Sequence, residues 1–245
     1  MNNLLSHWKG KKVCFLGDSI TEGVGVTYDT TYWSFLKDLA GIEGYCFGKN
    51  GYKYFGLLEQ AKRMLSERGN DVDAIFLFAG TNDFNGSIPL GEWYCEKEKA
   101  ISDTAHGECV LRHREFNFDE KTFKGSINTV LSFLRLHYWD KKIILLTPIH
   151  RAYATFGADN IQYDEMYANT AGIFFDEYIT AVKEAANIWS CELIDLNSVS
   201  GLFPLNEDNA QKYFCSKETD RLHPNAAGHR KLANAIARKM ITIEV

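Results

Sequence analysis

The chain of 245 residues is 45% hydrophobic with a formal net charge of −5, enough apolar material for one sizeable core and only a mild acidic balance. No block of like charges occurs, so nothing favours nucleic acid or an anionic membrane as partner, and a small neutral or weakly charged ligand fits better. No apolar run approaches the roughly 18–20 residues of a membrane span, and the opening MNNLLSHWKGKK lacks the apolar centre of a signal peptide. The chain as written is expected in the cytoplasm; export is the alternative if a leader has been trimmed.

In chain order, the first strand is expected at KKVCFLG, which stops at Gly17-Asp18-Ser19 and passes into a glycine-rich stretch. A helix over TYWSFLKDLAG ends on Gly41, the strand EGYCFG runs into the turn FGKNGYKYFG, and a second helix over YFGLLEQAKRMLSERG ends on Gly69. DVDAIFLFAG and KKIILLTPI are apolar almost without interruption, as strands covered on both faces should be. Between and after them, EKTFKGSINTVLSFLRLHY and EMYANTAGIFFDEYITAVKEAANI read as long amphipathic helices, SCELIDL as a strand and NAAGHRKLANAIARKM as the last helix. Alternating strands and helices predict an α/β fold with a parallel sheet covered on both faces. Three long loops, Phe84 to about Phe118, Ile149 to about Asp164 and Asn197 to Thr219, follow strands and so belong at the carboxyl edge, where open α/β sheets bind ligands. No repeat or linker divides the chain, so one domain is expected over 1–245 with a loop insertion at about 84–118.

Ser19 falls at that edge. A serine hydroxyl attacks only when a base takes its proton and donors wait for the oxyanion; as a bare motif, GDS is equally at home as a turn or helix cap. Among His7, His106, His113, His137, His150, His223 and His229, only His223 lies in a segment that brings its own acid. In DRLHPNAAGH, Asp220 precedes it by three residues and can fold back on the imidazole to hold one tautomer, while Pro224 suits the start of the last helix. The alternative is an Asp cap with a surface histidine. For donors, Asn82 in AGTND carries two amide N–H groups, and Gly51 offers a backbone N–H with no side chain in the way; each also reads as an ordinary turn residue.

Taken together, GDSITEG around Ser19, NGYKYFG around Gly51, GTND around Asn82 and DRLHPNAAGH with Asp220 and His223 resemble the four sequence blocks, in order, of the SGNH hydrolases of the GDSL esterase superfamily. The resemblance implies a three-layer α/β/α sandwich, flavodoxin-like, around a five-stranded parallel sheet. It also implies Ser19 as nucleophile, His223 as general base and then acid, Asp220 as the orienting carboxylate, and an oxyanion hole of the Ser19 and Gly51 backbone N–H groups with the Asn82 side chain. Gly48 is an alternative to Gly51 in its short block. Members of the family cleave esters and thioesters without metal or organic cofactor. The implied activity is a serine esterase, with a short acyl group such as acetyl on a carbohydrate as the expected substrate. Alternatives are a thioesterase or lysophospholipase using the same residues, a silent binding module on the same fold, and a nucleotide-binding flavodoxin-like protein.

Four polar residues, Asp18 and Asp83 within the blocks and His150 and Arg151 just after the fourth strand, are expected to touch substrate. Trp93, Tyr94, Phe116, Tyr153, Phe156 and Tyr163, with Arg112 and Arg114, are loop residues that could stack on sugar rings or line an acyl pocket. GVGVTY lacks the third glycine of a dinucleotide fingerprint, and neither G-x-S-x-G nor a P-loop occurs. His106, Cys109 and His113 lie close together but match no zinc signature, so no metal is expected. Cys14, Cys46 and Cys191 sit in strand-like runs and read as reduced core thiols, leaving Cys95, Cys109 and Cys215 open.

Overall fold

The computed structural model describes residues 4–103, 105 and 107–245. Strand β1 (Lys12–Gly17) runs into the one-turn helix α1 (Ser19–Glu22); α2 (Tyr32–Ala40) leads to β2 (Glu43–Cys46), and α3 (Gly56–Arg68) to β3 (Ala74–Phe78). The short helix α4 (Thr81–Asn85) precedes a hairpin of β4 (Tyr94–Asp103) and β5 (Gly107–Phe116). Next come α5 (Phe123–His137), β6 (Lys142–Leu146), the two-residue strands β7 (Ala154–Thr155) and β8 (Ile161–Gln162), and α6 (Phe175–Ile188). The last part holds β9 (Glu192–Ile194), α7 (Leu196–Val199), α8 (Glu207–Tyr213), β10 (Phe214–Ser216), β11 (Asp220–Pro224) and α9 (Ala226–Met240).

Five parallel strands form the central sheet in the order β2-β1-β3-β6-β9. Successive side chains of a strand point to opposite faces, and both faces here are covered, which is why these strands are apolar throughout. In β3, Ile75 and Leu77 pack with α3, α5 and α6, whereas Ala74, Phe76 and Phe78 pack with α2 and α9. The expected three-layer α/β/α sandwich is thus observed. Strand order reverses between β1 and β3, and the crevice outside their carboxyl ends is where such sheets take ligands.

Helix ends follow local chemistry. Thr31 accepts from the Ser34 N–H to cap α2, Gly41 closes that helix at φ 68°, and Asn225 Oδ1 accepts from the N–H groups of Ala227 and Gly228 to cap α9. Pro224 therefore closes β11 and does not open α9. The helix expected from Glu165 begins only at Phe175, because Asn169 Oδ1 accepts from the Ala171 and Ile173 N–H groups and Gly172 turns at φ 76°.

The expected loop at 84–118 is mostly a hairpin, paired from Tyr94↔Phe116 to Asp103↔Gly107. Both its faces are exposed, so it lacks the apolar alternation that signals a strand, and ion pairs such as Lys97 with Glu115 and Arg112 with Glu96 join its arms instead. Its aromatic base packs inward: Phe116 stacks on Trp189 at 4.4 Å, Tyr94 lies 5.3 Å from Phe116, and Trp93 Nε1 donates to Glu184. The segment 149–164 supplies β7 and β8, which join β11 and β10 in a second, antiparallel sheet ordered β10-β11-β7-β8. Among the described residues no helix is long and apolar enough to cross a membrane.

Candidate active site

At the end of β1 the chain is held by Gln60 of α3, whose side chain accepts from the Gly17 N–H and donates to the Gly17 carbonyl, both at 2.8 Å. A Cβ at Gly17 would come within 2.2 Å of Thr21 Oγ1 and 2.5 Å of the Phe78 carbonyl, so only glycine lets β1 pass this close to β3 and α1. Asp18 then caps α1 by accepting from the Ile20 N–H at 3.0 Å, and Ser19 becomes the first helical residue. Being first, the Ser19 N–H has no carbonyl partner inside its own helix. The helix itself is pinned, since Trp33 Nε1 donates to the Thr21 carbonyl and the Thr21 and Tyr32 hydroxyls bond at 3.1 Å.

Strand β11 brings the second half of the site. Asp220 Oδ1 accepts from the N–H groups of Leu222 and His223, and Oδ2 lies 2.9 Å from His223 Nδ1. An ionised carboxylate only accepts, so Nδ1 carries the proton and Nε2 is left as acceptor. Ser19 Oγ lies 2.9 Å from that Nε2 and donates to it. Ser19 and His223 are only 2% and 5% exposed, so this hydrogen-bonded line runs through a largely desolvated space. Three residues that are 204 and 3 positions apart in the chain thereby share one proton path. Such a line can take the serine proton onto Nε2 as Oγ attacks and hold the imidazolium beside a carboxylate.

The turn after β2 and the start of α4 close the other side. Glu22 accepts from the Asn50 N–H, tying the turn to α1. Gly48 packs against α1, where a Cβ would meet Thr21 and Glu22 at 2.8 Å, whereas Gly51, at φ 76°, has nothing within 4 Å of its Cβ position. It is Gly51 that borders the open cavity, and Gly48 does not. Asn82 donates one amide N–H to the Tyr52 carbonyl at 3.0 Å, which orients its side chain and leaves a second N–H. Ser19, His223, Gly51 and Asn82 all line one cavity of about 380 Å³.

Comparison with known proteins decides what this arrangement belongs to: residues 15–231 match the GDSL-like lipase/acylhydrolase family. The chain is a member of that family. No curated protein matches it. Among solved structures it is similar to a protein from Lactobacillus plantarum, at 23% identity and TM-score 0.71 over 94% of this chain and 96% of that one. It is also similar to a member of the lipolytic protein G-D-S-L family from Veillonella parvula, at 16% identity and TM-score 0.61, covering 96% and 100%. An acetyl xylan esterase shares 22% identity at TM-score 0.60, covering 93% and 98%. At these identities the likeness is one of fold, and the family makes the protein a hydrolase of the esterase and lipase type.

In this GDSL-family hydrolase the four polar residues expected at the substrate do not line the cavity around Ser19. Asp18 is consumed by the α1 cap. Asp83 is buried, and both of its carboxylate oxygens accept from the Tyr54 N–H. Arg151 is buried too, donating to the Thr81 carbonyl and hydroxyl and to Gln162 Oε1 while lying over the Phe84 ring. His150 bonds Glu165 and faces a different cavity with Asn197 and Phe174. Charge in a motif here serves backbone groups and packing, not an open surface. Burial pushes the carboxyl of Asp18 up to about 6 and that of Asp83 up to about 7, and pushes Arg151 down to about 10. His229 is also buried; its Nδ1 accepts from the Tyr32 N–H, and burial followed by the nearby His223 pushes it down to about 3.

Of the loop aromatics, Phe156 lines the cavity and tilts against the His223 ring at 5.3 Å. Asn50, Lys53, Asn85, Asn160 and Gln162 complete the polar wall and escape sequence reading. Asn85 had a signal, lying one helical turn after Asn82 on α4; Asn160 and Gln162 had none, since only pairing of β7 with β8 and β11 brings them here. Cys109 and His113 lie four residues apart on β5, about 13 Å along a strand, too far to share one ion; His106, the third residue of that group, lies outside the described residues. Among the described residues no three His, Cys, Asp or Glu side chains are placed to hold a metal.

Proposed function

We propose that the protein is a serine esterase working through an acyl-enzyme, with Ser19 as nucleophile, His223 as base and acid, and Asp220 as the group that orients it. The observation that carries this reading is the single hydrogen-bonded line from Asp220 through His223 to Ser19, each step 2.9 Å, ending in a cavity. Ser19 Oγ attacks the ester carbonyl while its proton moves to His223 Nε2. The oxyanion is met by the N–H groups of Ser19 and Gly51 and the free amide N–H of Asn82. The leaving alcohol takes the proton back from Nε2, and water repeats both steps to release the acid. Asp220 stays ionised, compensating the imidazolium.

For the substrate we infer a short acyl group, such as acetyl, on a carbohydrate. The wall of amides from Asn50, Asn85, Asn160 and Gln162 suits the hydroxyl groups of a sugar, while Val24, Phe156 and Leu222 offer an apolar side to a short acyl group. A structural relative named as an acetyl xylan esterase supports the same choice. The test is hydrolysis of p-nitrophenyl acetate, butyrate and octanoate by wild type and Ser19→Ala. Turnover by wild type alone, fastest on acetate, is the expected result. A rate that peaks on octanoate would replace the carbohydrate ester by a lipid, and equal rates in the two proteins would remove Ser19 from the reaction.

A further inference from the structure

Beside the Ser19 cavity lies a second one of about 370 Å³, walled by residues that include Phe84, Asn85, Ile161, Tyr163, Tyr167 and Thr170. The two are neighbours: Asn85 lines both, and in β8 the adjacent Ile161 and Gln162 line the outer and the inner cavity respectively. We propose that this outer cavity binds a further sugar ring of a glycan whose acetylated ring sits at Ser19. The proposal rests on the esterase reading for the inner ring but not for the existence of the outer site.

One wall is tied to the body of the protein by hydrogen bonds. Asn169 donates its amide N–H groups to the Phe84 carbonyl and the Tyr178 hydroxyl, and Ser87, held at φ 51°, accepts from the Thr170 N–H at 3.1 Å. On this frame Tyr163 and Tyr167 are 65% and 61% exposed, with ring centroids 5.7 Å apart at 50°. Large aromatic faces left in water next to a reaction cavity gain most when a ligand covers them. Between the two cavities, Asn85 is exposed and lines both, so its side-chain amide can bond a ligand in either. A pyranose ring matches this combination: one face of C–H groups for a tyrosine ring, and a rim of hydroxyls for Asn85 and the phenol groups. An acyl chain would use the rings but leave the polar rim unsatisfied.

Binding is measured first, on Ser19→Ala, by calorimetric titration of unacetylated xylose, xylotriose, cellotriose and chitotriose. At least one trisaccharide should bind about tenfold more tightly than a single sugar, a gain expected from stacking on one or two rings. That gain should vanish when Tyr163→Ala and Tyr167→Ala are added; both side chains are exposed, so the core is untouched. In the active protein, the ratio of kcat/KM for the acetylated trisaccharide to that for p-nitrophenyl acetate should fall about tenfold in the double tyrosine variant, mostly through KM. A chain-length gain that survives loss of both tyrosines, or no gain with any of the three glycans, overturns the outer site. Hydrolysis of p-nitrophenyl acetate that depends on Ser19, without a chain-length gain, would leave the esterase standing and reject only the outer site. Tyrosine-dependent glycan binding with no ester turnover would do the reverse.

Discussion

The carboxyl edge of the central sheet and the β4–β5 hairpin are built on opposite principles. At the edge, four short stretches around Gly17, Gly51, Asn82 and His223 are bonded to one another: Glu22, Asn82 and Asp83 to the backbones of Asn50, Tyr52 and Tyr54, and the His223 ring to the Ser19 hydroxyl. In the hairpin, twenty paired residues are tied mainly to each other across the two strands, with charges on both faces and aromatic anchors at the base. The difference teaches where chemistry can be placed. A reacting group needs neighbours that fix it to a few tenths of an ångström, and only the first region supplies them.

That contrast can be broken experimentally. After Ser19→Ala, the largest effect is expected at Asn82: replacing it with Ala should cost on the order of 10²–10³ in kcat, as for loss of one oxyanion donor, with KM for p-nitrophenyl acetate little changed. Steady-state kinetics check this, and an unchanged kcat would take Asn82 out of the reaction. A smaller effect concerns Asp83, whose carboxyl is pushed from an ordinary 3.8 up to about 7 by burial. A group raised in this way contributes stability that is complete below pH ~4 and is lost as pH rises through about 7. Asp83→Asn should therefore gain stability relative to wild type as pH rises from about 4 to about 7, read by denaturant unfolding of the two proteins side by side. His229, pushed down by burial, acts in the opposite sense but is common to both proteins and cancels in the difference. A difference independent of pH would mean that Asp83 is ionised where it lies. The smallest effect is expected at the hairpin: replacing 96–114 by a short Gly-Ser turn should leave kcat/KM for p-nitrophenyl acetate within about twofold. A loss beyond tenfold would mean that the hairpin reaches the site.

The same contrast explains what was legible in the sequence. Strands β1, β3 and β6 announce themselves as unbroken apolar runs because both sides are covered. The hairpin does not, because a strand exposed on both faces carries no apolar period. Ser19, Asp220 and His223 are visible because a strand end, a glycine and a three-residue spacing constrain the backbone locally. Asp18, Asp83 and Arg151 mislead for the same reason: their charges satisfy nearby N–H and C=O groups, and sequence does not distinguish that use from contact with a ligand. Asn160 and Gln162 are invisible beforehand, since a tertiary pairing of two-residue strands puts them in the cavity.

The central claim is that Ser19 alone is activated for attack. It is tested most directly by incubating the protein with a fluorophosphonate and locating the adduct by peptide mass spectrometry. One adduct per chain, on Ser19, much slower to form in His223→Ala and absent in Ser19→Ala, is the predicted result. An adduct on another residue, or equal labelling of wild type and Ser19→Ala, would contradict it.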